Sequence, residues 1–314
     1  MVRVGPARSA GRSHRRHVIA LPLDRKANLT HWESWARTFG GDLRATTKCQ
    51  SIKQIELDAL ARHIQRVDTG SPLILEVGCG NGVNGLGLSR LFPDLRYVGV
   101  DFSESMVASA RENVVARGGN GVQARIAFGV LDARRLAVPL DLRESHSVVG
   151  ASLERAFPIP GFDVIFTNRM LINLESADEQ LEVMTRISEA LNPGGRFLML
   201  ENDAQSHARL NDIRQALGLP PRPVAGFNVF IDRSRVIDPF TRRMELEAVE
   251  DVSAIHDLML YAVFPSLHDG EVRYDTDEMS ALTKALLAMK HTTGIDVQGF
   301  GQNKLWVWRK PRSS

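Results

Sequence analysis

Short apolar runs alternate with stretches of helical period along most of the chain, and this alternation constrains the fold more than any other feature. The first five runs cover residues 73–77, 95–100, 123–131, 162–167 and 196–200. Helical period fills residues 83–91, 105–117 and 177–191. Strands that alternate with helices are typical of a parallel sheet whose connections cross over its faces. The pattern therefore predicts an α/β fold with helices on both faces of the sheet.

Two further strands complete the predicted sheet. Residues 244–250 alternate apolar and charged side chains, as a half-exposed strand does, and residues 304–308 form the last apolar run. We therefore expect a mostly parallel sheet of seven strands. Helical period around residues 253–263 and 277–289 predicts a helical insertion between the last two strands.

The remaining segments give the predicted domain organisation. Residues 1–27 are rich in Gly, Ser and Arg and have almost no apolar period, so they cannot bury enough surface to offset their ordering entropy. We expect a disordered basic arm over residues 1–27 and an N-terminal helical segment over 28–70. The core then covers 71–252, a helical cap or substrate lid covers 253–297, and the final strand and tail cover 298–314.

Charge and cysteine content exclude several classes of protein. The 39 Lys and Arg nearly balance the 37 Asp and Glu, so the chain lacks the general positive field that drives binding to nucleic acid or anionic lipid. Cys49 and Cys79 have no partners at ligand spacing and predict neither a disulfide framework nor a zinc site. No apolar stretch suits a signal peptide or a membrane span. We therefore expect a cytoplasmic protein with no metal, no nucleic-acid partner and no membrane.

A glycine-rich turn follows the first apolar run, where a strand meets a helix N-terminus and a nucleotide-like ligand can bind. Residues 80–85 satisfy G-x-G-x-x-G, which dinucleotide-binding proteins carry. In that motif the first glycine follows the strand directly, and here that glycine is Gly78. Counted from Gly78, the third glycine position is Val83. The register therefore argues against a dinucleotide.

The turn instead fits a pattern in which an acidic residue is followed, after one residue, by G-x-G-x-G. Glu76, Gly78, Gly80 and Gly82 are the residues that match it. On these residues the chain resembles the class I S-adenosylmethionine-dependent methyltransferases, over about residues 73–202. The resemblance implies a Rossmann-like class I methyltransferase fold and S-adenosylmethionine as the cofactor. Less specifically, the whole layout resembles bacterial small-molecule methyltransferases of polysaccharide and secondary-metabolite pathways.

The resemblance also implies which residues hold the cofactor. Asp101 closes the second strand and is expected to take both ribose hydroxyls as a carboxylate acceptor. Phe102 and Met106 would flank the adenine, and Leu131 and Asp132 would meet its edge. The full predicted cofactor-binding set is Glu76, Gly78, Cys79, Gly80, Gly82, Asp101, Phe102, Met106, Leu131, Asp132 and Asn168, in which Cys79 only fills space.

Methyl transfer from a sulfonium is an in-line displacement, so it needs alignment and, for a hydroxyl acceptor, a base of near-neutral pKa. The exit of the fourth strand, with Asn168 and Arg169, is expected to face the donor methyl. In the predicted cap His256 is the candidate base, and Tyr261 lies near the same helical face. The predicted catalytic set is therefore His256, Tyr261, Asn168 and Arg169.

Several local features bear on the substrate. Enzymes of this class that methylate nucleobase or amide nitrogens carry Asn or Asp, then Pro-Pro and an aromatic, after the fourth strand, and this chain does not. No pair of acids for a divalent metal is evident at this rim, and only Glu201 and Asp203 after the fifth strand leave a metal site open as an alternative. Polar clusters at residues 44–48, 227–230 and 300–303 are interpreted either as pocket lining or as turns.

Three functions remain open. The leading one is transfer of a methyl group to an oxygen or nitrogen of a small molecule. The second is cyclisation of the cofactor itself to azetidine-2-carboxylate with release of methylthioadenosine, because azetidine-2-carboxylate synthases are similar to this class. The third is a non-catalytic protein that retains the ligand site. Fold alone does not choose among them, and the substrate and oligomeric state stay open.

Overall fold

The computed structural model describes residues 24–312 except 68, 143–147, 150–152, 154–155 and 294–298. Most of the predicted basic arm, residues 1–27, therefore lies outside the described residues. Its end is helical rather than disordered: helix α1 begins at Arg25, and the Asp24 carboxylate caps it by accepting the Ala27 N–H at 2.8 Å. An N-cap side chain satisfies a helix donor that would otherwise be unpaired, which is why the helix starts there.

One sheet runs through the described part of the chain. Its strands are β1 Leu73–Val77, β2 Arg96–Asp101, β3 Ile126–Val130, β4 Val148–Val149, β5 Phe162–Asn168, β6 Leu191–Asn202, β7 Glu245–Asp251 and β8 Asn303–Arg309. The strand order is β4-β3-β2-β1-β5-β6-β8-β7. The five strands β1, β2, β3, β5 and β6 are parallel, and β8 is antiparallel to β6 and β7. All seven predicted strands are confirmed, and the two-residue β4 adds an antiparallel edge.

Helices cover both faces of this sheet. They are α1 Arg25–Phe39, α2 Gln50–Ile64, α3 Val83–Leu91, α4 Glu104–Arg117, α5 Gly119–Gln123, α6 Ala177–Ala190, α7 Ala204–Ala216, α8 Asp238–Phe240, α9 Ala254–Leu258, α10 Phe264–Leu267 and α11 Asp277–Thr293. A π-helical turn, Met259–Val263, joins α9 to α10. No helix of the described residues is long and apolar enough to cross a membrane.

Alternate residues of each central strand supply two separate hydrophobic cores. In β6, Phe197 and Met199 belong to one core, and Leu198 and Leu200 belong to the other. This is the period of two that a strand imposes on its side chains. Because both faces are covered, the parallel strands are mostly apolar, and polar side chains collect at the carboxyl edge of the sheet.

The predicted cap, residues 253–297, is helical over its described part. Leu260, Ala262 and Met279 are fully or almost fully buried in the core on the α2 side of the sheet. This segment therefore packs as part of the core on one face of the sheet. Its position relative to the carboxyl edge decides whether it is a lid.

Candidate functional site

A cleft of about 890 Å³, including the space that opens to solvent, lies at the carboxyl ends of β1, β2, β3 and β5. The lining residues come from the strand ends and from the N-terminal helices: Arg25, Asn28, Trp32, Thr46, Lys53, Gly78, Gly80, Asp101, Phe102, Met106, Leu131, Asp132, Ala133, Arg134, Asn168, Arg169, Met170, Asn173, Leu174, Glu175 and Glu179.

The glycine turn forms the floor of this cleft. Gly78 and Gly80 both have positive φ, at 78° and 52°, a conformation that side chains other than glycine rarely adopt. A Cβ at Gly80 would lie 2.7 Å from Thr46 Cγ2, and one at Gly78 would overlap Met170. The backbone can approach a ligand closely here only because these two residues lack side chains.

Asp101 ends β2 at the edge of the cleft and is almost fully buried. Its Oδ2 accepts the Gly80 N–H at 2.8 Å and its Oδ1 accepts the Ser103 N–H at 3.0 Å. Burial raises the pKa of this carboxyl to about 6, although the two backbone N–H groups oppose the shift. Each oxygen keeps lone pairs for further donors, so the carboxylate fits the predicted ribose contact.

Most of the predicted cofactor residues meet at the cleft. Phe102 and Met106 follow β2, Leu131 and Asp132 follow β3, and Asn168 ends β5, so one edge brings together residues far apart in the chain. Asp132 is held by two guanidinium groups, at 2.9 Å from Arg134 and 2.5 Å from Arg25. Parallel strands deliver their carboxyl ends to one edge, which explains this convergence.

Three predicted cofactor residues do not line the cleft. The Glu76 carboxylate is fully buried and accepts hydrogen bonds from Asn84 Nδ2, at 2.7 Å, and from the Tyr97 hydroxyl. Burial raises the pKa of Glu76 to about 7. Cys79 lies in the core beneath the turn, and Gly82 lies against Ala110 and Phe128. These residues shape the turn from behind, and their direct contact with a cofactor stays a prediction.

The two predicted cap residues are also away from the cleft. His256 is only 1% exposed, and its Nε2 lies 3.1 Å from Ser51 Oγ while its Nδ1 lies 3.3 Å from Asp257 Oδ1. Although burial opposes protonation, the Asp257 carboxylate raises the pKa of His256 to about 9. Tyr261 is buried beneath the Arg222 guanidinium, 3.4 Å from its ring centre. The structure encloses both side chains in the core, so it does not bring His256 and Tyr261 together with the cleft residues, and their catalytic role stays a prediction.

The predicted lid, residues 253–297, is also away from the cleft in its described part. No described residue of 253–297 is among those that line the cleft, whereas α1 and the segment before and within α2 contribute five lining residues. Those five, Arg25, Asn28, Trp32, Thr46 and Lys53, were missing from the predicted site. The only sequence signals for them were the tryptophan and the polar cluster at 44–48, in which Thr46 does reach the cleft.

Helix α1 is fastened across the cleft at several points. Arg25 pairs with Asp132 beyond β3, and Asn28 Nδ2 donates to the Asn173 carbonyl at 2.6 Å beyond β5. Glu33 accepts the Ser103 hydroxyl at 2.6 Å. His31 stacks on Phe227 with 4.4 Å between ring centres, so the predicted 227–230 cluster supports α1. The helix thus joins both sides of the cleft.

A buried charge cluster lies at the β5 end of the cleft. Glu56 is fully buried and lies 3.0 Å from Lys53 Nζ and 3.1 Å from Arg169 Nε. Asn168 Nδ2 also donates to Glu56 at 3.1 Å. Burial opposes ionisation, but Arg169 and Lys53 together lower the pKa of Glu56. Two cations against one carboxylate leave net positive charge beside the cleft.

The turn after β5 is held in an unusual conformation. Arg169 has φ 56°, which is uncommon for a residue other than glycine and occurs where surrounding structure enforces it. The buried Glu201 carboxylate accepts the N–H groups of Met170 and Leu171 at 3.1 and 3.0 Å. Glu201 therefore fixes this turn from below and directs Asn168 and Arg169 to the cleft.

Other predicted polar features have structural partners. Asn303, in the cluster at 300–303, lies 3.4 Å from Glu56, and Asp203 pairs with Arg233 at 2.7 Å while it caps α7. Among the described residues, no three His, Cys, Asp or Glu side chains are arranged to hold a metal ion. The Glu201 and Asp203 carboxylates are thus committed to backbone and guanidinium partners.

Part of the chain is similar to known methyltransferases. A family model described as a methyltransferase domain matches residues 75–197. The ubiquinone/menaquinone biosynthesis C-methyltransferase UbiE of Azotobacter vinelandii is 29% identical over 154 residues, which are 49% of this chain and 51% of the relative. The malonyl-acyl-carrier-protein O-methyltransferase of Bacillus cereus is 39% identical over 84 residues, 26% of each protein. The chain therefore matches about half the length of one relative and about a quarter of the other.

Solved structures share the fold over most of the chain. The magnesium protoporphyrin IX methyltransferase ChlM from Synechocystis PCC 6803, with bound S-adenosylhomocysteine, has a TM-score of 0.54 and 12% identity over 91% of this chain and 96% of that chain. The N-methyltransferase NodS from Bradyrhizobium japonicum WM9, with the same ligand, has a TM-score of 0.50 and 11% identity over 91% and 99%. Identities this low show the fold alone, and the predicted fold is confirmed.

Proposed function

We propose that this protein methylates an oxygen or nitrogen of a small molecule. The chain belongs to the class I S-adenosylmethionine-dependent methyltransferases and takes S-adenosylmethionine as its cofactor. The observation that carries this proposal is the cleft of about 890 Å³, in which the glycine turn and Asp101 lie below and α1 lies above. The enclosing helix disfavours a bulky polymer as the acceptor.

The residues of the cleft fit the donor from end to end. Asp101 would accept the ribose hydroxyls, and the Gly78 and Gly80 backbone would meet the amino-acid portion. Lys53 and Arg169 at the positive end suit a carboxylate, and Asn168 offers an amide oxygen beside them. When bound, S-adenosylmethionine supplies an electrophilic methyl group on its sulfonium. In this proposal, the adenine of the donor contacts Phe102, Met106, Leu131 and Asp132.

The acceptor half of the proposal depends on alignment rather than on a histidine base. The described lining contains no histidine, and His256 is enclosed elsewhere. Holding two reactants in line can supply roughly 7–11 kcal/mol of a barrier without any proton transfer. We therefore assign Asn168 and Arg169 to positioning at the β5 end, where the turn held by Glu201 fixes them.

Helix α1 takes the role that the sequence assigned to residues 253–297. It contacts the cleft through Arg25, Asn28 and Trp32, and closing it over the reactants would exclude water from the sulfonium. We propose α1 as the lid and the described part of 253–297 as core packing. The cyclisation alternative relied on a cap over 253–297 that excludes acceptors, and no observation now favours it.

Binding and product analysis test the proposed function. The full chain is first titrated with S-adenosylmethionine and S-adenosylhomocysteine by calorimetry. It is then incubated with S-adenosylmethionine, alone and with pooled small amines, alcohols and carboxylates, and the nucleoside product is identified by mass. We expect S-adenosylhomocysteine to form only when an acceptor is present. Methylthioadenosine from the cofactor alone would instead support cyclisation, and tight binding without any turnover would support a non-catalytic role.

A further inference from the structure

Three asparagine side chains of the cleft leave their carboxamide oxygens without partners. Asn28, Asn168 and Asn173 all line the cleft, and none of their Oδ1 atoms has a hydrogen-bond partner among the described residues. Asn28 and Asn168 are only 5% and 8% exposed. A buried acceptor without a donor is unfavourable, so a ligand that brings N–H or O–H groups would recover the lost hydrogen-bond energy.

The orientation of each amide follows from its other contacts. Asn28 Nδ2 donates to the Asn173 carbonyl at 2.6 Å, and Asn173 Nδ2 donates to the Arg169 carbonyl at 2.8 Å. Asn168 Nδ2 donates to the Glu56 carboxylate at 3.1 Å. Carbonyl and carboxylate oxygens only accept, so in each amide the nitrogen must take that position. The three oxygens are therefore the atoms left for a ligand.

Two of these oxygens are not needed by the donor. Asn168 stands at the end of β5 beside Lys53 and Arg169, where the proposed donor contacts lie. Asn28 belongs to α1 and Asn173 to the turn after β5, and the hydrogen bond between them joins the lid to the rim. This pair approaches the cleft from two sides, which suits an acceptor that enters between the lid and the rim.

The chemistry of the lining favours one class of acceptor. An alcohol needs a base of near-neutral pKa to remove its proton. The described lining holds no histidine, and its near-neutral carboxyl, Asp101, is already assigned to the ribose hydroxyls. A neutral amine carries its own lone pair and needs no base. Its N–H groups also match acceptor oxygens, whereas a carboxylate acceptor has no hydrogen to donate to them.

We propose that the methyl acceptor is a small amine whose N–H groups are received by the carboxamide oxygens of Asn28 and Asn173. This inference rests on the proposed methyl transfer. The nitrogen lone pair forms the new carbon–nitrogen bond as the carbon–sulfur bond breaks and its electron pair remains on sulfur. The nitrogen becomes positive, and the product leaves as a protonated methylamine. Two fixed amide dipoles stabilise that developing charge.

Sinefungin tests this inference without an acceptor. In this compound a carbon that bears an amine replaces the sulfur that bears the methyl group, so an amine lies at the position of transfer. The dissociation constants of sinefungin and S-adenosylhomocysteine are measured by calorimetry on the full chain. We expect sinefungin to bind at least about tenfold more tightly, and Asn28→Ala and Asn173→Ala each to reduce this ratio about three- to tenfold, as the loss of one hydrogen bond does.

A matched control separates recognition from structural support. Asn228 also has an unpartnered Oδ1 but does not line the cleft, so Asn228→Ala should leave the ratio unchanged. If Asn28 and Asn173 only fasten α1, their variants will weaken both ligands equally and the ratio will not move, which overturns the amine inference. Equal affinity of wild-type protein for both ligands overturns it as well. Failure of both ligands to bind wild-type protein overturns the proposed function instead.

Discussion

Asp101 is the residue whose loss tests the donor site most directly. Its oxygens accept N–H groups from Gly80 and Ser103, which fix the carboxylate at the cleft. Asp101→Ala removes a charged acceptor from two ribose hydroxyls, so we expect S-adenosylmethionine binding to weaken by about 2–4 kcal/mol. Calorimetry on the variant, with circular dichroism to verify folding, measures this loss. An unchanged dissociation constant would remove Asp101 from the site.

Gly80 tests whether the turn approaches a ligand. A side chain there meets Thr46 Cγ2 at 2.7 Å and occupies a backbone conformation with φ 52°, so we expect Gly80→Val to weaken S-adenosylmethionine binding by about 2 kcal/mol or more. Gly121→Ala is the matched control, because a Cβ at Gly121 meets nothing within 4 Å. Equal affinities of the two variants in calorimetry would make the turn purely structural.

His256 separates a structural role from a catalytic one. Because its ring is enclosed between Ser51 and Asp257, we expect His256→Ala to lower the free energy of unfolding by about 1–3 kcal/mol. S-adenosylmethionine affinity should stay within about threefold of wild type, which is roughly 0.7 kcal/mol. Urea unfolding and calorimetry give the two numbers. A variant of normal stability whose catalytic rate is lost would return His256 to the catalytic set.

Single residues were predictable where their spacing from the end of a strand determines their position. They were unpredictable where their position depends on contacts with residues far away in the chain. Gly78, Gly80 and Asp101 are tied to the end of a strand by their spacing, so the sequence locates them at the cleft. Lys53 and Glu56 are three positions apart in a helix and look like a surface ion pair, yet they are 7% and 0% exposed. Their burial depends on Arg169, which is more than a hundred positions away in the chain.

At the scale of elements, α1 should behave as the lid. We expect S-adenosylhomocysteine to slow amide hydrogen exchange across α1, Arg25–Phe39, because ligand and helix share the cleft. The helix α11, Asp277–Thr293, is a control within the same molecule, since none of its described side chains lines the cleft. Exchange with mass spectrometry compares the two helices. Strong protection of α11 without protection of α1 would restore the original lid prediction.

The sequence did not determine which helical segment lies over the cleft. Both α1 and residues 253–297 have helical period, and period alone does not say which helix crosses the carboxyl edge of the sheet. The contacts that decide it are long-range, such as Arg25 with Asp132, 107 positions apart. By contrast, strands β1 to β3 were predicted well because each is a mostly apolar run beside a helix, a pattern contained in neighbouring residues.

For the whole molecule, stability should depend on pH through buried carboxyl groups. Burial raises the pKa of Glu201 to about 7, although the Leu171 N–H opposes the shift. The folded state therefore keeps a proton that the unfolded state releases, so this group lowers the free energy of unfolding as pH rises from about 4.5 to about 7. Glu201→Gln removes this dependence. Between pH 4 and pH 8, the free energy of unfolding of the variant should therefore rise by about 3 kcal/mol relative to that of wild type.

Chemical denaturation at both pH values measures that gain. Glu182→Gln is the control, because Glu182 is 54% exposed on α6 and pairs with Arg186 on the same helix. A gain of the same size in the control would show that the pH dependence arises from other groups.

The seven-strand architecture was predictable at this scale because two apolar faces follow from strand period alone, whereas the added edge strand β4 has only two residues and gives no such signal.

The four tryptophans of the chain divide between the lid and the sheet. Trp32 and Trp35 lie on α1, half-buried near the cleft, whereas Trp306 and Trp308 on β8 are at most 1% exposed. The intrinsic tryptophan fluorescence of the protein therefore has two components. The indoles of α1 should respond to changes at the cleft, and the buried indoles of β8 should give a constant background. Red-edge excitation would select the wetter pair, so opening and closing can be timed in the native chain without a dye.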